Sequence, residues 1–324
     1  MKRMISRNAQ DSIPHEDYFA LSREDGMVQA SFFAFNTVID LAAFGGEDIV
    51  EHAMRAACDL CRHYERLFSR TLPHSDVSRV NSAAGHATEV DREMFDVVCM
   101  ALDYCAASEG TFDVTIGPAV RLWNFHEHTR PNPDELARAM EHVGWKGIAL
   151  GKEDGHFTVQ LADPQASIDL GGIAKGYIAD ALDHQLAFAG LDSFTINLGG
   201  NVVAHGNKPD GSPWMVGIRN PKKPDTILGA LPLRNMSAVT SGIYERGFEE
   251  GGQWYHHILD AKTGMPVETD IASATVVAPR SIDAEGYSTT LLALGLDRAS
   301  AFVRANQAIV TAVFVDEDNE LYQV

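Results

Sequence analysis

Cysteine, positive charge and long apolar runs are all scarce in this chain, and each shortage removes a class of protein. Only four cysteines occur among 324 residues, too few for the disulfide framework of a small secreted scaffold. Cys58 and Cys61 form a CxxC, but it sits inside an amphipathic pattern over residues 48–67 that puts both on the side of Met54 and Tyr64. That pattern favours buried core thiols over a redox or zinc pair, and the spacing of Cys99 and Cys105 suits no common zinc motif. Lysine and arginine number 26 against 45 acidic residues, a net charge of −19. Nucleic acid and anionic membrane are therefore poor partners, because both would be repelled. No segment approaches the ~20 apolar residues of a membrane span, and residues 1–19 lack the apolar core of a signal peptide. The expected setting is the cytoplasm.

What is present is a chain able to bury a large core. Apolar residues make up 45 % of it, and no low-complexity tract, internal repeat or Pro/Gly/Ser linker divides it. At this length, one two-lobed domain or two tightly packed domains are both allowed. Residues 1–28 read as a polar leader of weak structure and 29–324 as the folded domain. Residues 31–41 alternate as a strand, and helices are expected over 48–69, 91–108 and 131–143, the last with Asn132 as N-cap before Pro133. Short β-pieces follow near 147–150 and 157–161, then a helix over 173–188. Residues 194–278 read mainly as strands joined by Gly, Pro and Asn turns. Helices near 283–294 and 297–305 precede a closing hairpin, 308–315 against 320–324. This order predicts an α+β fold of mixed, largely antiparallel sheets flanked by helices.

The most informative stretch is Ile168-Asp169-Leu170-Gly171-Gly172-Ile173-Ala174-Lys175-Gly176-Tyr177. It reads as a short strand, a diglycine turn and a helix that opens with lysine. Glycine lets a ligand's phosphates approach the backbone, and a helix N-terminus offers unpaired N–H groups to anions. Lys175 stands in the first turn, where the helix dipole disfavours a cation, so its charge serves a ligand better than the helix. An acidic protein that binds a dianionic ligand must supply local positive charge, which favours Lys175 and a divalent cation as its sources.

Further blocks stand in a recognisable order: Ser75-Asp76-Val77-Ser78-Arg79-Val80-Asn81, then Phe112-Asp113-Val114-Thr115-Ile116-Gly117-Pro118 with Leu122-Trp123-Asn124-Phe125. Ile196-Asn197-Leu198-Gly199-Gly200-Asn201, Val239-Thr240-Ser241-Gly242-Ile243-Tyr244-Glu245-Arg246 and His256-His257-Ile258-Leu259-Asp260 with Thr263-Gly264 follow. Over residues 31–300 these resemble, in order, the blocks of the FAD:protein FMN transferases, the ApbE family. The resemblance implies a flavin site between two lobes. It implies transfer of FMN from FAD to a Thr or Ser hydroxyl of a target flavoprotein, with release of AMP and with Mg²⁺, or Mn²⁺, as cofactor.

The resemblance also implies a site, residue by residue. The metal would take the Gly172 carbonyl, Thr289 and the residue four before it, which is Glu285 where the family has aspartate. Spacing i to i+4 keeps Glu285 and Thr289 on one helical face, and Asp283 lies off it. Asp169 and Lys175 map to positions that touch FAD, although Asp169 equally suits a cap for the following turn. Thr111, Phe112 and Asp113 match a flavin-contacting stretch with Ile258 and Leu259 as apolar neighbours, while Phe112 and Trp123 also suit the core. Adjacent His256 and His257 would point to opposite faces of a strand, one into the site as proton acceptor, the other packing. With Lys175 they are the catalytic candidates. Phe35-Asn36-Thr37 stands where relatives carry Met-Gly-Thr, and Thr71 where many carry a flavin-stacking tyrosine, so the flavin is less covered. Two rival readings use the same site: an FAD pyrophosphatase giving FMN and AMP, and a non-catalytic FAD-binding protein.

Overall fold

The computed structural model describes residues 19–324. The chain opens on three strands, β1 (Phe19–Glu24), β2 (Met27–Ala34) and β3 (Thr37–Phe44), then the long helix α1 (Glu47–Phe68) and the short α2 (Asp76–Asn81). Next come β4 (Thr88–Val90), α3 (Arg92–Ala107), α4 (Gly117–Val120), α5 (Pro133–Met140) and the hairpin of β5 (Ile148–Glu153) and β6 (His156–Leu161). After α6 (Ala174–Phe188) the chain turns to strands: β7 (Phe194–Leu198), β8 (Asn201–His205), β9 (Trp214–Asn220), β10 (Lys223–Leu233) and β11 (Met236–Gly242). A small hairpin, β12 (Gly247–Glu250) with β13 (Gln253–His256), leads to β14 (Ile271–Ala278). Helices α7 (Ser281–Leu294) and α8 (Leu296–Ala305) and the strands β15 (Thr311–Asp316) and β16 (Leu321–Gln323) close the fold.

The architecture is the expected α+β class. Nine strands form one sheet in the order β1-β2-β3-β7-β8-β11-β14-β15-β16, every neighbouring pair antiparallel. Helices α1, α6 and α7 pack on it and on one another. A three-stranded sheet, β4-β6-β5, joins α2 and α3 to make the smaller lobe, and its Val159 and Leu161 share the main core with Phe32, Phe194 and Phe314 of the large sheet. Strand β2 alternates in burial because only one of its faces is covered, whereas every residue of β14 is buried. Its Val276 and Ala278 join the main core, while Val277 meets Trp214 and Leu233 of the β9–β10 hairpin. A strand covered on both faces loses its period of two in burial, and even Ser273 and Thr275 of β14 are buried.

Some expected boundaries shift. Residues 31–41 are a hairpin and not one strand: Phe35 and Asn36 both take positive φ, 52° and 58°, and Ala34 pairs with Thr37 across a two-residue turn. Within the polar stretch 1–28, residues 1–18 lie outside the described residues. The rest carries β1 and the start of β2. Strand β1 is an edge strand with mostly exposed side chains, held by its ladder to β2, by Arg55 over the Phe19 ring at 4.7 Å and by Arg23 on Glu47 at 2.8 Å. Such a strand is polar in composition and looks like loop. The short strand expected just before the diglycine turn reduces to one parallel bridge, Ile116 with Ser167, backed by Asn81, whose amide pairs with both backbone groups of Ile168. Cys58 and Cys61 are free and buried on α1, and burial raises both thiol pKa values, as core thiols require. No described helix is long and apolar enough to cross a membrane.

Candidate active site

A cleft of about 1880 Å³ runs between the large sheet, the start of α6, α7 and the loops that follow α1, α3 and β13. That exceeds the usual volume of a small-molecule pocket, roughly 300–1,000 Å³. It has room for a dinucleotide and part of a second molecule. Phe35 and Thr71 stand on its wall, as do Thr111, Phe112 and Asp113 from the loop after α3. Asp169, Gly172 and Lys175 come from the diglycine turn and α6, His257, Ile258 and Leu259 from the segment after β13, and Glu285 and Thr289 from α7. His256 is not among the lining residues.

The diglycine turn is shaped by contacts on both sides. A Cβ at Gly171 would meet Asp169 Oδ1 at 2.9 Å, and one at Gly172 would meet the Phe112 ring at 3.0 Å. Asp169 does what a cap does: Oδ1 accepts from Gly171 N at 2.7 Å, while Oδ2 faces Arg70 Nε at 3.3 Å. Asp113 is likewise engaged within its own loop, accepting from Thr115 N at 2.8 Å and from Trp145 N at 3.2 Å. Both carboxylates therefore stiffen the walls. Gly176, just after Lys175, lets α6 touch α7, since a Cβ there would lie 2.6 Å from Ile282 Cα. Asp180, one turn further along α6, accepts from Ser281 N at 2.6 Å and Ile282 N at 3.0 Å, capping α7. Burial pushes its carboxyl up to about 6.

Helix α7 is buried nearly all round, and Glu285 is 3 % exposed. A charge on such a helix must be paired. Glu285 pairs through Oε1 with the Lys175 ammonium and through Oε2 with Asn201 Nδ2 at 2.8 Å. Thr289, one turn later on the same face, holds Ser241 Oγ at 3.1 Å. Asp283 is occupied elsewhere, by Tyr104 Oη at 2.6 Å and by Arg280 on both oxygens at 2.7 Å. The metal candidates are thus a carboxylate, a hydroxyl and the backbone of Gly172 on one cleft. All three offer hard oxygen, a donor set that fits Mg²⁺ or Mn²⁺ with phosphate oxygens and water completing the shell. Among the described residues no group of three or more His, Cys, Asp or Glu side chains is placed to hold a metal.

The two histidines separate at the end of β13, which closes at His256. His256 is buried, with Nε2 donating to Val267 O at 3.2 Å, and burial lowers its pKa. Grouped above with the catalytic candidates, it is corrected here to a packing residue, because its ring turns into the interior and away from the cleft. His257 lines the cleft. Burial first, and then the Arg246 guanidinium, push its pKa down to about 4, so the ring is neutral at neutral pH. Its Nδ1 donates to Arg246 O at 3.2 Å, which leaves Nε2 as the ring's acceptor. Asn201, Ser241, Ser281 and Arg70 were not singled out from sequence. The first two lie in the matched blocks Asn197-Leu198-Gly199-Gly200-Asn201 and Thr240-Ser241-Gly242, where a polar residue beside a glycine turn was the available signal.

Comparison with known proteins gives a consistent picture. The sequence profile described as the ApbE family matches residues 35–314. The FAD:protein FMN transferase of Treponema pallidum (strain Nichols) is 35 % identical over 293 residues, covering 84 % of this chain and 79 % of its own. One from Klebsiella pneumoniae (strain 342) is 33 % identical over 266 residues, covering 81 % of both. Among solved structures, the ApbE protein of Thermotoga maritima superposes with a TM-score of 0.83 at 28 % identity, covering 91 % of this chain and 96 % of that one. The apo flavinyl transferase ApbE of Pseudomonas stutzeri gives a TM-score of 0.79 at 25 % identity, covering 94 % of each.

Proposed function

Because this chain belongs to the ApbE family, we propose that it is a flavin transferase that moves FMN from FAD to a Thr or Ser hydroxyl of a target flavoprotein. The acceptor oxygen bonds to the FMN phosphorus, the bond from that phosphorus to the bridging oxygen breaks, and AMP leaves with the electron pair. The observation that carries the reading is the convergence of the diglycine turn, Lys175, His257 and the Glu285–Thr289 face on one cleft. His257, neutral and with Nδ1 committed to Arg246 O, offers Nε2 to the hydroxyl proton. Its depressed basicity means that the proton moves only as the new P–O bond forms. Lys175 supplies positive charge beside the turn where a pyrophosphate would lie. Mg²⁺ or Mn²⁺, held by Glu285, Thr289 and the Gly172 carbonyl, would neutralise phosphate charge when bound. Asp169, Asp113 and Phe112 keep the walls in place, with Phe35, Thr111, Ile258 and Leu259 as flavin neighbours. We place this activity in the cytoplasm as part of the same proposal.

One observation favours a second reading. Thr71 lies exposed on the cleft wall, its hydroxyl turned to Ser69 Oγ at 3.1 Å, and no ring stands at that position to cover the flavin. Water then competes with the acceptor hydroxyl, giving FAD pyrophosphatase activity from the same site. The test is AMP release from FAD and Mg²⁺ with and without an acceptor flavoprotein. A transferase releases more AMP when the acceptor is present and leaves FMN on it. A pyrophosphatase releases AMP at the same rate either way, and a protein that only binds FAD releases none.

A further inference from the structure

The two oxygens of Glu285 meet opposite chemistries. Oε1 carries the Lys175 ammonium, while Oε2 accepts from Asn201 Nδ2 at 2.8 Å. A carboxylate only accepts, so the Asn201 amide must turn its NH₂ toward Glu285 and its carbonyl away. On that far side Ser281 Oγ donates to Asn201 Oδ1 at 2.7 Å, and Ser237 Oγ lies 3.0 Å from both Ser281 Oγ and Val202 O. Ser281 spends its single proton on Asn201 Oδ1, and a flipped amide would set that carbonyl against the Glu285 carboxylate, which cannot donate. Asn201 and Ser237 are 1 % exposed and Ser281 is fully buried, so bulk water cannot replace any of these bonds. The outcome is a carboxylate with one oxygen committed to the protein and one presented to the cleft.

Lys175 covers the presented oxygen. It reaches there from the first turn of α6, where the helix dipole gives it no support, and its side chain is 29 % exposed and so has room to swing. A divalent cation that uses Glu285 must take the same oxygen. Resting on the metal-assisted reading above, we propose that Lys175 and the divalent cation are alternative partners of Glu285 Oε1, and that Asn201, oriented by Ser281, keeps Glu285 a one-oxygen ligand. Cation binding releases the ammonium toward the phosphates of a bound dinucleotide. Without that dinucleotide the released ammonium loses its partner, so cation and dinucleotide each favour the other's binding. Asn201 and Ser281 are positioning residues: they act through Glu285.

The experiment uses Mn²⁺ as the probe, with its affinity read by electron paramagnetic resonance and acetylation of Lys175 read by mass spectrometry. In the intact protein Mn²⁺ should speed acetylation of Lys175 as the ammonium is released. Lys175→Met should tighten Mn²⁺ binding by roughly fivefold or more, the scale of a linked coupling. Asn201→Leu should weaken it by about 10–100-fold, as loss of an outer partner of a metal ligand does, and Ser281→Ala should weaken it less. FAD should tighten Mn²⁺ binding to the intact protein by a larger factor than to Lys175→Met, where only direct ligation by the phosphates couples the two. If Glu285→Ala loses Mn²⁺ while Lys175→Met leaves affinity and labelling unmoved, the competition is overturned and the metal site stands. Unchanged affinity in both the Asn201 and Ser281 variants overturns the positioning role. If Glu285→Ala binds Mn²⁺ as the intact protein does, or neither binds it, the metal reading and this inference fall together.

Discussion

Replacing Gly176 with alanine tests whether the glycine of the Lys175-Gly176 pair serves helix contact. A Cβ at that position would lie 2.6 Å from Ile282 Cα, 2.8 Å from Ser281 O and 3.0 Å from Ile282 N. All three neighbours are backbone, so no rotamer change makes room and α6 must move away from α7. Overpacking of this kind costs about 3 kcal/mol at the upper end of its usual range. Alanine's better helix propensity returns about 1 kcal/mol. The net loss is about 2 kcal/mol, a fall in melting temperature of about 3 °C for a chain of this size. The displacement also stretches the two bonds by which Asp180 caps α7 and carries Lys175 away from Glu285. Thermal unfolding followed by circular dichroism, beside an AMP-release assay, reads both effects. A Gly176→Ala protein that melts at or above the parent temperature and keeps full activity would refute the reasoning.

Thr71→Tyr should raise FAD affinity by about 0.5–1.5 kcal/mol through stacking and lower AMP release in the absence of acceptor; fluorescence titration showing no gain means that another residue covers the flavin. Lys175→Ala should weaken FAD binding by about 1.5–3 kcal/mol, the range for a charged hydrogen bond, and should lower the melting temperature of the FAD-free protein, because the buried Glu285 loses the ammonium that pairs it. An unchanged affinity would remove Lys175 from the phosphate contacts. His257 should leave a signature in stability against pH. Its pKa falls from 6.5 unfolded to about 4 folded, so the unfolded chain binds the proton more tightly. Its contribution is complete above 6.5 and is lost as pH falls toward 4. Asp180, pushed up to about 6 by burial, acts in the opposite sense over part of that window, so the comparison is with His257→Gln. Denaturant unfolding at pH 7 and pH 5 should show a smaller loss in that variant, and equal losses would contradict the burial of the ring.

Much of the site was legible because its chemistry is local. The diglycine turn, the lysine in the first turn of α6 and the four-residue spacing of Glu285 and Thr289 are all short-range patterns, and the structure brings them to one cleft. The opposite facing of His256 and His257 was expected from strand alternation, and it holds although β13 ends at His256. The hairpin at Phe35–Asn36 had a signal that was passed over: buried positions fall on Phe32 and Ala34 before it but on Ile39 and Leu41 after it. That change of parity is what a two-residue turn produces. Asn201 and Ser281 were out of reach for another reason. Their partners lie 84 and 80 residues away in the chain, and nothing local to either says that a buried carboxylate waits there. Strand β1 was missed because an edge strand carries little of the apolar alternation on which a strand reading depends.

The central claim is that this chain places FMN on a protein hydroxyl with the help of Glu285. Its most direct test is the intact mass of an acceptor flavoprotein co-expressed with the chain or with its Glu285→Ala variant, followed by peptide mapping. The account predicts a mass gain of one FMN on a Thr or Ser with the parent chain, none with Glu285→Ala, and recovery with Glu285→Asp in Mg²⁺ or Mn²⁺. An acceptor left unmodified by the parent chain while FAD is split, or modified equally by Glu285→Ala, would contradict it.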